Sequence, residues 1–186
     1  MYFNYKLYFT YLLNYTNNIF FKMTFKNKTK INTIFINKDY LYFINLHLKL
    51  SSLFYSTQLV DIFSYETNTV KQNLFQKQIV ITFYNYHILN LNEKIYLFTL
   101  NYSFFKNNIN LNSITELFSS ANWLEREVSE LHGILFLGKT DIRNLLLQYG
   151  DSTTPFQKIF PVIGIYELYY NTTKDTLVQQ PVTFQL

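Results

Sequence analysis

The first 132 residues of this chain contain neither glycine nor proline. Glycine is the default where the backbone must take a positive φ, and proline fixes kinks and rigid turns. A stretch that does without both is built from helices and strands joined by a few polar turns. All four glycines, all three prolines, both arginines and the single alanine lie between Ala121 and Pro181. These residues have GC-rich codons, whereas the abundant Asn, Lys, Ile, Tyr and Phe have AT-rich ones. The bias points to an AT-pressured genome, an organelle's. On that reading, the last third of the chain holds the positions at which no AT-coded residue serves.

At 186 residues the chain fits one domain, with or without an appended arm. It is long enough to bury roughly 70% of its unfolded surface. With 20% aromatic residues, much of the core must be rings. The absence of cysteine excludes disulfides, thiolate zinc sites and cysteine-held iron-sulfur clusters from this chain. Charge is split along the length: residues 1–115 carry a net +7 and residues 116–186 a net −3. The two parts therefore suit different partners. Lysine is itself AT-coded, so the basic half alone is no sign of nucleic-acid binding.

The opening segment is apolar and aromatic, but Asn4, Lys6, Asn14, Asn17, Asn18 and Lys22 interrupt it. No run reaches the roughly 18 apolar residues of a membrane-spanning helix. It also lacks the features of a secretory signal or an arginine-rich transit peptide. Synthesis in the compartment of use, or an amphipathic helix packing on a partner, is expected. Ile31–Leu50 reads as one or two strands with a turn at Asn37–Asp39, and Ser51–Thr67 as a short helix feeding a strand. QIVITFYNYHIL and KIYLFTLNYSF are strands of a hairpin, joined by the polar turn Asn90–Lys94. Ser113 to Glu116 (SITE) spells a capping box that would start a helix. Ala121–Gly133 reads as a second helix ending at a left-handed glycine, and Thr140–Gly150 as a third. Beyond Gly150, Pro155 and Pro161 impose an extended arm in which IYELYYN and PVTFQL are candidate edge strands. The expected fold is α/β (α+β): a small mixed or antiparallel sheet with packed helices and an extended C-terminal arm. The expected organisation is an N-terminal aromatic region with a first strand (1–50), a core with the signature helix 121–133 (51–150), and the arm (151–186).

No pattern of catalytic chemistry stands out. On a helical wheel Leu124, Val128 and Leu131 form the apolar face of helix 121–133. Trp123 and Glu127 sit side by side at its margin, and Arg126 lies one turn before Glu130, a spacing that suits an ion pair. Glu127 and Glu130 share one helix surface with no facing carboxylate, so an acid and base pair, as in a small carboxylate hydrolase, is disfavoured. His47, His87 and His132 are scattered without a second ligand at metal spacing. Gly133 and Gly138 make no nucleotide loop, and Ser119 and Ser120 fit no nucleophile elbow. Aromatics interleaved with lysine across residues 20–30 could stack bases, as a basic organellar RNA-binding or ribosomal protein would require, but in this composition chance interleaving is the default.

Three linked blocks, ANWLEREVSELHGI, TDIRNLLLQYG and PFQKIFPVIGIYELYY, resemble the thirty-kilodalton subunit family of respiratory NADH:ubiquinone oxidoreductase, complex I. Glu125, Arg126, Glu127, Val128, Glu130, Leu131 and Gly133 occupy the family pattern. Lys139, Asp141 and Arg143 sit at its basic, Asp and Arg positions. Weaker echoes reach upstream to about Leu50, whereas the first fifty residues match nothing specific. His132 stands where an aromatic is expected, and Gln157 and Ile159 replace an Arg and an Asp. The resemblance implies a non-catalytic core subunit of the matrix arm of a proton-translocating NADH:ubiquinone reductase, at the mitochondrial inner membrane and encoded in the mitochondrial genome. The implied partners are the forty-nine-kilodalton quinone-site subunit and the iron-sulfur subunits. No nucleic acid and no transmembrane span are implied. FMN, iron-sulfur clusters and ubiquinone belong to the complex, with no cofactor, metal or catalytic residue in this chain. Trp123, Glu125, Arg126, Glu127, Glu130, Gly133, Asp141, Arg143, Tyr149, Gly150, Pro155, Lys158, Phe160 and Pro161 are the expected packing and interface residues. Because Glu127 borders the apolar face, its loss is expected to impair assembly more than loss of Glu125.

Overall fold

The computed structural model describes residues 20–26, 31–52, 54–72, 75–103, 109–151 and 153–183. The opening segment expected to pack as an amphipathic helix lies outside them up to residue 19, and its end is a strand instead, β1 at Phe20–Lys26. The main body is a five-stranded sheet in the order β1-β2-β5-β4-β3, built from β1 (Phe20–Lys26), β2 (Ile31–Asn37), β3 (Thr57–Gln72), β4 (Phe75–Ile88) and β5 (Glu93–Ser103). The β3-β4, β4-β5 and β1-β2 pairs are antiparallel, while β2 runs parallel to β5. The β4-β5 hairpin stands as the sequence indicates, but its turn is residues 89–92, since Glu93 and Lys94 already pair with Ile88 and His87. The sheet is mixed.

Alternation sets the buried face. In β4, Val80, Thr82, Tyr84, Tyr86 and Ile88 point inward, and in β5 Ile95, Leu97, Thr99 and Asn101 do so. In β3 the phase slips: Thr57 and Leu59 are buried, then Ile62 and Ser64. An irregularity between Leu59 and Asp61 inserts one residue and restores the inward face. The inward polar groups serve one another. Asn101 Nδ2 donates to Thr82 Oγ1 at 3.0 Å, and the Ser64 hydroxyl reaches the same oxygen at 3.2 Å. On the opposite face Phe35, Phe98, Phe83 and Phe63 form a row across four strands, stacked at 4.7 Å, edge-on at 4.3 Å and stacked at 4.6 Å between centroids.

The second half of Ile31–Leu50 is a helix, not a strand: α1 spans Leu41–Leu50, entered through a 3₁₀ turn at Lys38–Tyr40. Leu41, Ile44, Asn45 and Leu48 recur at i, i+3, i+4 and i+7 and are its buried stripe. The helical period outcompeted the β-branched and aromatic composition. Asn45 is not stranded there, since it donates to the Leu41 carbonyl at 2.8 Å and accepts from the Tyr86 hydroxyl. Residues 31–50 thus supply a strand and a helix to the sheet body. No helix comes between α1 and β3 among the described residues.

A second unit completes the core. β6 (Ile109–Asn112), α2 (Ala121–His132) and β7 (Ile134–Leu137) form a parallel pair with a helical crossover. Beyond it lie an irregular stretch and an antiparallel hairpin, β8 (Tyr166–Asn171) with β9 (Thr176–Pro181).

Two further expected helices are not formed. The capping box at Ser113 starts only a single turn, in which Leu117 and Phe118 both donate to the Ile114 carbonyl. Its two side chains are engaged elsewhere: Ser113 donates to Glu125, and Glu116 accepts from the Tyr42 hydroxyl at 3.1 Å. Thr140–Gly150 has no helical structure. The reason lies in α2.

Candidate functional site

α2 begins where the chain runs closest to the sheet. Ser120, at its N-cap, donates its hydroxyl to the Leu59 carbonyl of β3 at 3.2 Å, and the following Ala121 is completely buried. The lone alanine occupies the point of contact. One turn on, Glu125 is also fully buried, and its carboxylate accepts from Ser113 Oγ at 2.7 Å, the Ile114 amide at 2.8 Å and Lys139 Nζ at 3.3 Å. The enclosed Lys139 amine donates as well to the Asn122 backbone carbonyl at 2.8 Å and to its side-chain oxygen at 3.1 Å. Burial pushes the Glu125 carboxyl above its ordinary range, while the Ile114 and Ser113 hydrogen bonds and the Lys139 charge pull it back. This satisfied buried pair ties β6, α2 and the segment after β7 into one body.

The next residues of α2 act outward on the chain that follows. Arg126 donates from Nε to the Arg143 carbonyl at 2.7 Å and from an Nη to the Asn144 carbonyl at 3.0 Å, with a 3.5 Å contact to Asp141. Glu130 accepts from the amides of Leu145, Leu146 and Leu147 at 2.9, 2.7 and 3.3 Å. Backbone groups that a helix over 140–150 would have paired with one another are claimed by two charged side chains. The expected Arg126–Glu130 pair is therefore replaced by two separate straps on one loop. Asp141 takes a two-pronged contact from the Arg143 guanidinium at 2.9 and 3.0 Å, which holds its carboxyl far below the usual carboxylate range. Arg143 itself is 70% exposed.

The end of α2 receives the arm. Gly133 has φ +71°, and its amide bonds the Ser129 carbonyl. The left-handed backbone favours glycine, and a Cβ there, 2.9 Å from Gln157 Nε2 and 3.1 Å from Thr154 Cγ2, would displace the Gln157 side chain. The next free carbonyls of α2 accept from the arm: Leu131 from the Phe156 amide at 3.0 Å, and His132 from Gln157 Nε2 at 2.8 Å. Gln157 thereby serves as a helix C-cap. The Lys158 amide donates to Glu66 of β3 at 2.9 Å. The buried His132 ring stands edge-on to Phe156 and is pushed down in pKa by burial, an effect that the Glu66 charge opposes.

Glu125, Arg126, Glu130, Gly133, Asp141 and Arg143 are thus brought together around α2. Trp123 and Glu127 are not part of this network. Trp123 is 66% exposed, and Glu127 is half-buried with no hydrogen bond among the described residues. The buried member of the pair is Glu125, because Ala121, Glu125, Val128 and His132 follow the stripe that faces the sheet. Tyr149 is exposed and Gly150 has φ +85° in the bend that follows; Pro155 is half-buried, Pro161 exposed, and Phe160 lines a groove farther along the arm. Lys139, Ser113, Asn122, His132, Gln157 and Glu66 complete the site. The 121/125/128/132 spacing was a signal for Glu125, but its partners lie too far off in sequence to be read. Among the described residues no group of three His, Asp or Glu side chains is placed to hold a metal.

The class of fold is an α+β sheet domain with a strapped C-terminal extension, and the same architecture recurs in a chain of the membrane-bound sulfane sulfur reductase, an archaeal respiratory membrane complex. The two superpose with a TM-score of 0.64 over 86% of this chain and 87% of that one, at 12% identity, a likeness of fold alone. The model of the family "Respiratory-chain NADH dehydrogenase, 30 Kd subunit" matches residues 34–166, and the chain belongs to that family. It is similar to an NADH-quinone oxidoreductase subunit of Azoarcus sp., 44% identical over 75 residues, which is 40% of this chain and 37% of that protein. The corresponding protein of Polynucleobacter asymbioticus is 47% identical over 73 residues, 39% of this chain and 37% of that protein. The chain thus matches less than two fifths of the length of these curated relatives.

Proposed function

We propose that this protein is a non-catalytic core subunit of proton-pumping NADH:ubiquinone oxidoreductase. It acts as a brace that holds the quinone-site subunit of forty-nine kilodaltons and the iron-sulfur subunits in register for electron transfer from NADH to ubiquinone. The observation that carries the reading is the contrast built around α2. A rigid, ion-paired junction projects a long arm whose large apolar side chains, including Ile142, Leu146, Tyr149, Phe156, Ile159, Ile163, Leu168 and Tyr170, stand in solvent. Apolar surface of that extent is the mark of a protein interface. Family membership supplies the assembly. FMN, iron-sulfur clusters and ubiquinone are assigned to other subunits, and nucleic acid is assigned no role.

No described helix is long and apolar enough to cross a membrane, and the attachment to the membrane is assigned to the complex. The named relatives are bacterial. The excess of amino acids with AT-rich codons favours, beyond them, the matrix side of a mitochondrial inner membrane and a gene in the organelle's genome. Gentle detergent extraction followed by native electrophoresis tests the reading. The chain is expected in a very large assembly with NADH:quinone reductase activity. Recovery only as a free monomer, or with ribosomes, overturns it. Hybridisation of the gene to purified organellar DNA checks the genomic assignment.

A further inference from the structure

We infer that the groove between the β8-β9 hairpin and the bend at residues 148–151 seats an apolar segment of a neighbouring subunit that carries a lysine or arginine, with Asp151 as its ionic anchor. This rests on the assembly reading above and names the chemistry of the partner.

The hairpin register divides its side chains. Tyr166 pairs with Pro181, Leu168 with Gln179 and Tyr170 with Leu177, so these share one face; Glu167 pairs with Gln180 and Asn171 with Thr176 on the other. The first face is apolar but for Gln179, and the second is polar but for the Tyr169–Val178 pair, the pattern of a strand pair made to be covered on one side. Yet Tyr166, Leu168, Tyr170 and Leu177 are all exposed. A two-stranded hairpin is marginal in water by itself, so this one needs a cover.

Tyr166 and Leu168, together with Phe160 and Ile165 and the opposing Tyr149, line a groove of about 530 Å³. That is within the roughly 300–1,000 Å³ typical of sites that enclose a ligand. Asp151 is the one charged residue lining it among the described residues. One of its oxygens accepts from the Thr153 amide at 2.8 Å, and the other has no hydrogen bond among the described residues. The surrounding region, residues 116–186, carries a net −3. Largely apolar walls, broken by the neutral Gln148, Thr153 and Gln179, with one acidic group in an acidic region select a mainly apolar segment bearing a cation.

The test uses the intact complex with Leu168→p-benzoylphenylalanine, irradiated and then mapped by mass spectrometry. An adduct is expected with one segment of another subunit, rich in apolar residues and containing a lysine or arginine. Asp151→Lys should lower the amount of this chain in the large assembly about tenfold. Asp151→Asn, which keeps the acceptor for Thr153, should lower it about threefold. Asp39→Lys, the same charge change on an exposed residue before α1, should leave it within about twofold. Reversing the cation of the captured segment to glutamate should restore the Asp151→Lys variant. Adducts only with this chain or with lipid, no adduct, or equal yields from Asp151→Lys and Asp39→Lys overturn the assignment of the groove while leaving the chain an assembled subunit. Absence of the unaltered chain from the large assembly overturns the assembly reading and this inference together.

Discussion

The sheet body and the arm draw on the same aromatic, aliphatic and polar side chains, yet they use them in opposite ways. In the body, Ile34, Leu97, Tyr86 and their neighbours are buried, and even the charged Glu125 and Lys139 are enclosed with their hydrogen bonds made. In the arm, Ile142, Leu146, Leu168 and Tyr170 face solvent, while the backbone is fixed by charged side chains of α2. The body is ordered by what it hides, and the arm by being tied at its root. A surface of this kind is finished only when another chain covers it.

The largest expected effect comes from breaking the buried pair. Lys139→Ala leaves Glu125 enclosed without its cation and should cost about 3–5 kcal/mol, read as a fall in the urea midpoint of the purified chain. A loss below about 1 kcal/mol would show that the pair is not what joins the body to its extension. Glu130→Ala comes next. It removes the shared acceptor of three amides in a partly exposed loop, where water can replace it, so the damage should be smaller and stay local. Limited proteolysis should cut within residues 143–150 many times faster, with the melting of the body nearly unchanged. Equal loosening of both regions would erase the contrast between them.

Gly133→Ala should cost about 1–2 kcal/mol from its left-handed backbone alone, plus displacement of Gln157, measurable by the same denaturation. A smaller effect concerns pH. The folded pKa of His132 lies below its ordinary 6.5, so the unfolded chain binds the proton more readily. The stability this residue contributes is present above pH 6.5 and is lost as pH falls from there through the depressed folded value. The raised pKa of Glu125 acts with opposite sign nearer the carboxylate range, which isolates the histidine by difference. His132→Phe should flatten the decline in melting temperature between pH 7 and pH 5.5; an unchanged slope would assign that decline to other groups. Smallest of all, Glu127→Ala should stay within about 0.5 kcal/mol of the unaltered chain, whereas Glu125→Ala should not. This order holds for stability; the expected order for assembly, with Glu127 ahead of Glu125, is read from complex yield instead.

What could be read in advance depended on the range of the interactions involved. The β4-β5 hairpin, helix 121–132 and its glycine stop are written in local alternation, helical period and backbone chirality, which neighbours in sequence settle among themselves. The family blocks were equally plain, since they are runs of residues. The sequence by itself therefore determined the strands of the β4-β5 hairpin and the place of α2 with its glycine stop. Only the tertiary structure decided that Ser113 binds Glu125 instead of capping a helix, that Leu41–Leu50 coils over the sheet, and that Arg126 and Glu130 hold residues 143–147 open. In each case a local preference worth at most a kilocalorie or so was outbid by burial or by charged hydrogen bonds to residues distant in the chain. No window along the sequence contains both partners of such a bond.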